Sequence, residues 1–428
     1  MAVEFYKEFG ELGYLANYSD HGFRDYSGIY YPTVEHYYQS HKFAEQRIID
    51  SILEAPTPKE ASNIGRDRKN IRIPGFDKKK LDVMHDGVYY KFSQNKDIRS
   101  KLIETRNQEI REMSVKESYW GVGPNLDGEN HIGKILMAVR EEVKNDLLKS
   151  ILFQCRDETV YVIGHSKSDV DSFYSAMILT RILKSKGIDA HLAVRDEEFI
   201  DLDLLQDFGM DDYEVITDFS DKKFLLVDQN QLNGIPKENV IGGFDHHRIS
   251  GEIEDLIEAE YASTGLLLYD LFKDSYSFTD DDKEKIALTV LSDTEYLTSS
   301  RFSQEDQKLY EELGSSLDPE ELKKKYFKTT IFNLDVNENL LRDSKDYQVG
   351  KYVIKRSIIT SFHQDYLDHY DEYVESMKKN HINLLIWCDY ETLETYICYQ
   401  DISLKFPYFT NSTYLVLDYL EKEKYLKK

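Results

Sequence analysis

The stretch that most limits what this chain can become is Val160–Ser172, VYVIGHSKSDVDS. Its four apolar residues, Val160 to Ile163, read as a short buried strand. They run into a polar turn holding His165, Asp169 and Asp171, and the apolar SFYSAMILTRIL follows at helical spacing. A parallel sheet offers its ligand sites at the carboxyl ends of its strands. An imidazole and two carboxylates at such an end suit a hard or borderline divalent metal. The bland alternative is a helix cap by Ser168 or Asp169, with the other groups solvated.

Later segments repeat the pattern. KFLLVDQN is a strand ending at Asp228, and NVIGGFDHHRIS is a short strand ending in Asp245, His246, His247 and Arg248. A helix headed by Ser263 and Thr264 follows, and IALTVLSDTEYL puts Asp293 near the end of another. Alternating strand and helix argue for a parallel sheet covered on both faces. His165, Asp169, Asp171, Asp228, His246 and Asp293 then make a ligand set for two divalent ions, which together clamp a phosphoryl group. Carboxylates with some imidazole fit Mn²⁺, with Mg²⁺, Co²⁺ or Zn²⁺ as substitutes. Asp245 is placed behind them, to orient a histidine or to share a bridge.

A chain of 428 residues is long enough for two or three domains. Its formal net charge of −25 disfavours an extended nucleic-acid groove, while small anionic nucleotides or phosphates stay open because a metal reverses the local field. Three cysteines, at 155, 388 and 398, have neither metal spacing nor disulfide pattern, so a reducing, cytoplasmic setting is expected. The opening MAVEFYKEFGELG lacks a signal-peptide profile, and no stretch approaches a membrane span.

The region before the strand has its own signals. In YYPTVEHYYQSHKF, Thr33 reads as a helix cap, with Glu35 in the first turn and Tyr38 and Lys42 spaced four apart. Glu35 is either an ordinary dipole-favoured carboxylate or one aimed into a cleft between aromatic rings. PTPKEASNIGRDR reads as a capped helix followed by a Gly65-Arg66 turn, and KFSQNKDIRSKLIET as one helix. Trp120 heads a glycine-punctuated loop that enters a helix from about Ile132. Such a loop permits close backbone approach to a ligand.

Taken in order, GYLANYS, YPTVEHYYQSHKF, IGR, VM, KFSQN, YWGVG and GENHIGKILMAVR resemble the NADAR, or YbiA-like, family over about residues 5–147. That resemblance implies an N-glycosidase acting on ribosyl N-glycosides, including riboflavin-pathway intermediates and ADP-ribosylated guanine. It makes Glu35 the catalytic carboxylate and carries over Lys42, Trp120 and Asn130 as substrate contacts. Lys42 or Arg66 would hold a phosphate, and Trp120 with Tyr38 would sandwich the base. A tryptophan that often precedes the VM block is missing, with Phe76 the nearest aromatic.

GHSKSDVDS, LLVDQN, GGFDHHR and LSDT resemble the DHH phosphoesterases, nearest to the manganese-dependent pyrophosphatases and their exopolyphosphatase and prune-like relatives. The resemblance makes the six residues above the metal ligands and His247 a phosphate contact or acid, with Arg248 beside it. Those pyrophosphatases carry DHN where this chain has Asp228-Gln229-Asn230. The last region, with LLRDSKDYQVGKYV, looks like a DHHA2 domain, in which Lys345 and, beside it, Arg342 would bind phosphate. The cationic block expected near the C-terminus reads FPYFTNSTYLV here, so a substrate other than pyrophosphate is expected.

The expected architecture is multidomain. A mainly helical α+β NADAR-like domain (1–149) precedes an α/β parallel-sheet DHH domain (158–314) and a small α+β DHHA2-like domain (325–428). The expected function is a bifunctional hydrolase, an N-glycosidase joined to a Mn-dependent phosphohydrolase, in a homodimer. The alternatives are one catalytic lobe with a nucleotide-binding sensor, or an inorganic pyrophosphatase.

Overall fold

The computed structural model describes residues 2–247, 253–299, 302–326, 335–342, 344–349, 352–361, 363–390, 392, 394–400, 402–407, 410, 412–423 and 425. Arg248 lies outside the described residues. The chain forms two compact units. One is Met1–Ile200 with Asp211–Ser277, and the other is Asp201–Met210 with Phe278–Lys428.

The first unit opens with short strands. β1 (Val3–Phe5) pairs in parallel with β4 (Ile110–Glu112), and β2 (Phe23–Arg24) pairs antiparallel with β3 (Tyr30–Tyr31). Around them stand α1 (Val34–Ser40), α2 (Gln46–Leu53), α3 (Pro58–Arg66), α4 (Phe76–Gln94) and α5 (Lys96–Glu104). Thr33 caps α1 by accepting from the His36 N–H, as its sequence position suggests, and every residue of α1 is buried. Gly65 and Arg66 do not form the expected turn. The helix runs through both, and Gly65 is where the Gln39 side chain lies; a Cβ there would meet Gln39 Oε1 at 1.9 Å. The helix expected to start at Lys91 is likewise corrected. α4 continues through Lys91 to Gln94, and Asn95 breaks the run with an extended backbone while its amide donates to Lys91 O and Gly22 O.

α6 (His131–Gln154) is longer than the first region requires. Its early turns pack on α4, α5 and β4. Its last turns reach the second sheet, where a Cβ on Gly242 would lie 3.1 Å from Ile151 Cγ1. One helix therefore serves both regions, and no loop separates them until Cys155.

That second sheet has six parallel strands in the order β10-β9-β8-β5-β6-β7. They are β5 (Val160–Ile163), β6 (Ala190–Val194), β7 (Glu214–Val215), β8 (Lys223–Val227), β9 (Val240–Asp245) and β10 (Leu256–Glu258). The chain builds outward from β5 to β7, then crosses back to β8 on the other side of β5. This reversal opens a crevice at the carboxyl ends of β5 and β8, the usual ligand position in such sheets. α7 (Val170–Ser185) and α9 (Thr264–Phe272) pack against one another beside the sheet. α7 is buried nearly all round, which explains why its sequence is apolar beyond a single stripe.

The second unit holds α8 (Leu202–Phe208), α10 (Asp280–Asp293), α11 (Gln304–Leu313), α12 (Pro319–Tyr326) and α13 (Val336–Arg342). α10 and α11 thus group with the last region, so the compact units do not follow the expected division at residue 314. The five-stranded mixed sheet comprises β11 (Lys345–Val349), β12 (Tyr352–Ser361), β13 (Leu384–Asp389), β14 (Glu394–Tyr399) and β15 (Ile402–Lys405), in that spatial order. β13 alternates its faces. Leu384, Ile386 and Cys388 pack with α15 (Thr413–Lys422), whereas Leu385 and Trp387 pack with α14 (His363–Lys379) and Leu340 of α13. Among the described residues, no helix is long and apolar enough to cross a membrane.

Candidate active sites

The first site is built on α1. Glu35 is buried in its opening turn, and Gln39 Nε2 donates to Glu35 Oε1 across 2.7 Å. Gln39 Oε1 in turn accepts from Lys42 Nζ at 2.6 Å. The amide thus ties a carboxylate to an ammonium from its two ends. Burial pulls the Lys42 ammonium down to about 8, against the attraction of Glu35, with Arg72 and Arg66 adding repulsion. Lys42 Nζ lies 4.7 Å over the Tyr38 ring and 5.9 Å from the centre of Phe76.

Aromatic rings frame this group. Tyr38 meets Phe76 at 5.5 Å and Trp120 at 5.6 Å, both edge-on. The planes of Tyr38 and Trp120 cross at 86°, so the two rings are perpendicular and do not face one another as a preformed base sandwich. Phe76, the aromatic nearest the missing tryptophan, packs directly on Tyr38 and Lys42. Arg66 stands exposed at the end of α3. The Asn130 side chain spans the backbone of β4: Nδ2 donates to Ile110 O at 2.8 Å, and Oδ1 accepts from Glu112 N at 3.1 Å. These bonds tie β4 to the start of α6.

Sequence reading passed over several neighbours. Arg72 is near enough to act electrostatically on both Tyr38, which burial raises, and Lys42, which burial lowers. Glu112 has a buried Oε2 without a hydrogen-bond partner, and burial, then Glu117 and Glu35, push it up to about 7. The Gln39 position, one turn after Glu35, was the available clue to its bridging role.

The second site sits in the crevice after β5, β8 and β9. Asp228 follows β8 with a left-handed backbone, φ 55°, and is buried. Three imidazoles surround its carboxylate. His165 Nε2 is 3.3 Å from Oδ2, while His246 Nε2 and His247 Nδ1 are 3.3 and 3.5 Å from Oδ1. Asp169 Oδ2 lies 3.4 Å from His165 Nε2. Within the first unit, two donor groups result among the described residues, His165–Asp169–Asp228 and Asp228–His246–His247, each with its ligand atoms within 4.8 Å of one another.

The donors fit divalent cations. For bonds of about 2.1 Å, neighbouring ligand atoms on one ion lie roughly 3.0–3.4 Å apart. His165 Nδ1 donates to Ser166 O at 2.8 Å and His246 Nδ1 to Tyr261 O at 3.1 Å, which turns each Nε2 lone pair toward Asp228. Burial pulls the His165 imidazole down, but hydrogen bonds and charge from Asp169 and Asp228 outweigh it and raise the group to about 11. Burial pushes Asp228 up, yet its contacts with His165 and His246 hold it well below the usual carboxylate range.

Each remaining candidate has a definite place. Asp169 Oδ1 caps α7 by accepting from Ser172 N at 2.9 Å, while its Oδ2 lies 3.4 Å from His165 Nε2. Asp171 accepts from the N–H groups of Thr264 and Gly265 at 2.7 and 2.9 Å, fastening the start of α9, and its Oδ2 is 3.6 Å from His246 Nε2. Asp245 is fully buried, and its Oδ1 accepts from His247 Nδ1 at 2.9 Å. Gln229 turns away toward Ile163 O and Arg195, so its side chain adds nothing to the donor groups. A cavity of 150 Å³ adjoins the cluster, lined by Gln229, Asn230, Gln231, Asn233, Asp245 and His247. Asp293 ends α10 in the second unit, where Arg342 also closes α13 and Lys345 opens β11 opposite Arg356.

Residues 4–144 match the NADAR domain model, and residues 159–294 match that of the DHH family, N-terminal domain. The chain is 40% identical over 148 residues to an N-glycosidase of Nostoc punctiforme, across 34% of this chain and 94% of that protein. It is 29% identical over 141 residues to N-glycosidase YbiA of Escherichia coli, across 33% of this chain and 88% of that protein. The structure of an exopolyphosphatase-related protein from Bacteroides fragilis superposes with a TM-score of 0.39 at 14% identity, over 66% of this chain and 96% of that one. Through its first region the chain belongs to the NADAR family, and a DHH-family domain is fused behind it.

Proposed function

We propose that the chain is a two-site hydrolase: an N-glycosidase centred on Glu35 and a metal-dependent phosphohydrolase centred on Asp228. The observation that carries the first activity is the buried Glu35 carboxylate, held by Gln39, which also binds Lys42 beside the Tyr38, Phe76 and Trp120 rings. Breaking a ribosyl C1′–N bond sends its electron pair to the base and leaves positive charge on the sugar. A fixed carboxylate stabilises that charge more in the transition state than in the ground state. Water then adds to C1′. Glu35 takes one of its protons, and the departing base nitrogen ends with a proton in exchange.

Lys42 supplies a cation for a phosphate on the same substrate, with Arg66 and Arg72 beside it at the surface. A base entering between Tyr38 and Trp120 rotates at least one of the two perpendicular rings. Ribosylaminopyrimidine phosphates and ADP-ribosylated guanine nucleotides carry both features, a ribosyl–nitrogen bond and a phosphate.

In the second site, divalent cations supply Lewis-acid polarisation of a phosphoryl group and lower the pKa of water. His165, Asp169, Asp171, Asp228, His246 and Asp293 are the residues assigned to hold them, with Mn²⁺ the preferred ion. Asp245 orients His247 through Nδ1, leaving Nε2 to contact a phosphate oxygen or protonate a leaving oxygen. Arg342, Lys345 and Arg248 are assigned to the substrate's remaining charge. The substrate is a small nucleotide or short polyphosphate containing a phosphoanhydride or phosphodiester.

Glu35→Gln tests the first activity, because it preserves shape and removes charge. Base release, followed by chromatography, should slow by about two to three orders of magnitude while metal-dependent phosphate release is unchanged. Base release at the parental rate would remove Glu35 from the mechanism.

A further inference from the structure

The NADAR-family region reaches the back of the metal cluster through one cation. Arg106 follows α5 in a left-handed conformation, φ 49°, and its Nη1 donates to Glu260 O at 3.1 Å. Its guanidinium lies 3.7 Å from the centre of the Tyr261 ring. Tyr261 O accepts from His246 Nδ1 at 3.1 Å, and His246 Nε2 faces Asp228 at 3.3 Å. The other end of Tyr261 is anchored as well, because its hydroxyl donates to Asp270 Oδ2 at 2.7 Å.

These contacts form a continuous path between regions that match different families. Arg106 belongs to residues 4–144, while Glu260, Tyr261 and His246 belong to residues 159–294. Lys96 Nζ also donates to Ile253 O, and Gln154 Nε2 donates to Asp255 Oδ2 at 2.9 Å, so the junction is bonded at several points. Arg106 touches Tyr261, the residue whose carbonyl orients a cluster histidine. A planar cation stacked on a ring and bonded to the adjoining carbonyl fixes both the ring and the peptide.

We propose that Arg106 is a positioning residue for the metal centre, acting through Tyr261 to set the orientation of His246. The NADAR-family region would then complete the outer support of the DHH-family cluster in addition to performing its own chemistry. This inference rests on the reading of the cluster as a metal site. A bond from the outer support that orients a ligand histidine typically changes metal affinity about 10–100-fold.

The test uses the full-length chain stripped of metal. Mn²⁺ binding is measured by calorimetry, and the Co²⁺ absorption spectrum reports ligand geometry. Arg106→Ala should weaken Mn²⁺ binding at least about tenfold and alter the Co²⁺ spectrum, while base release stays at the parental rate. Arg106→Lys, which keeps charge but loses the plane, should fall between parent and R106A. If R106A does not fold, R106K is read alone and should still weaken Mn²⁺ binding. A folded variant, R106A or in its absence R106K, with parental Mn²⁺ affinity and Co²⁺ spectrum would overturn the role of Arg106 alone. A parent chain that binds neither ion would overturn the metal site itself, and this inference with it.

Discussion

Gln39 Nε2 donates to Glu35 Oε1 across 2.7 Å, one turn along α1, and this contact makes the first site sensitive to a residue on another helix. The Gln39 amide fits because position 65 of α3 has no side chain. Gly65→Ala would put a methyl group 1.9 Å from Gln39 Oε1 and force the amide to move. Helix propensity alone favours alanine by about 1 kcal/mol, so the fold should survive. Base release should nevertheless fall roughly ten- to a hundredfold, because the carboxylate loses the group that aims it. Thermal melting and turnover measured on the same sample would separate the two effects.

Lys42 gives this activity a high-pH limit. Burial brings its ammonium down to about 8, so the side chain is charged below that pH and neutral above it. If it binds substrate phosphate, kcat/KM for base release should decline as pH rises through about 8. The charge of Glu35 works in the opposite direction, raising the Lys42 pKa. In Glu35→Gln the declining limb should therefore move to lower pH. A limb unchanged between parent and E35Q would assign it to another group.

Asp169→Asn separates capping from metal binding. Asparagine caps a helix as well as aspartate, so α7 should retain the roughly 1 kcal/mol that an alanine would lose. The charge facing His165 would be gone, and with it one of the groups assigned to hold the metal. Purified D169N should melt close to the parent in metal-free buffer yet carry less Mn²⁺ by elemental analysis. Full metal occupancy would leave Asp169 as a cap only.

Pyrophosphate should be a poor substrate. Gln229 is committed to Ile163 O and Arg195, so the position next to Asp228 brings no imidazole to the cluster. With Mn²⁺ added, phosphate release from pyrophosphate should be slower than from ADP-ribose-like nucleotides or short polyphosphate. Efficient turnover of pyrophosphate alone would instead make the second site an inorganic pyrophosphatase.

Sequence by itself determined the two family-like regions and the local position of most of their candidate residues. Each strand end that carries a donor is local: an apolar run, then His165, then Asp228, then Asp245–His247. The Thr33 cap and the first-turn position of Glu35 are equally local, since a cap depends on backbone groups only a few residues away. In the six-stranded sheet β6, β7 and β10 escaped that reading, as did the short strands β1 to β4, because runs so short do not distinguish strand from helix or loop. The perpendicular setting of Tyr38 and Trp120, the Gln39 bridge over Gly65, and the turning away of Gln229 were decided only by tertiary packing. The same holds for the extension of α6 across two regions and for the contact of Arg106 with Tyr261. The physical reason is range: periodicity and capping act within a few residues, whereas Arg106 and Glu260 are 154 positions apart and meet only when the folded core brings their backbones together.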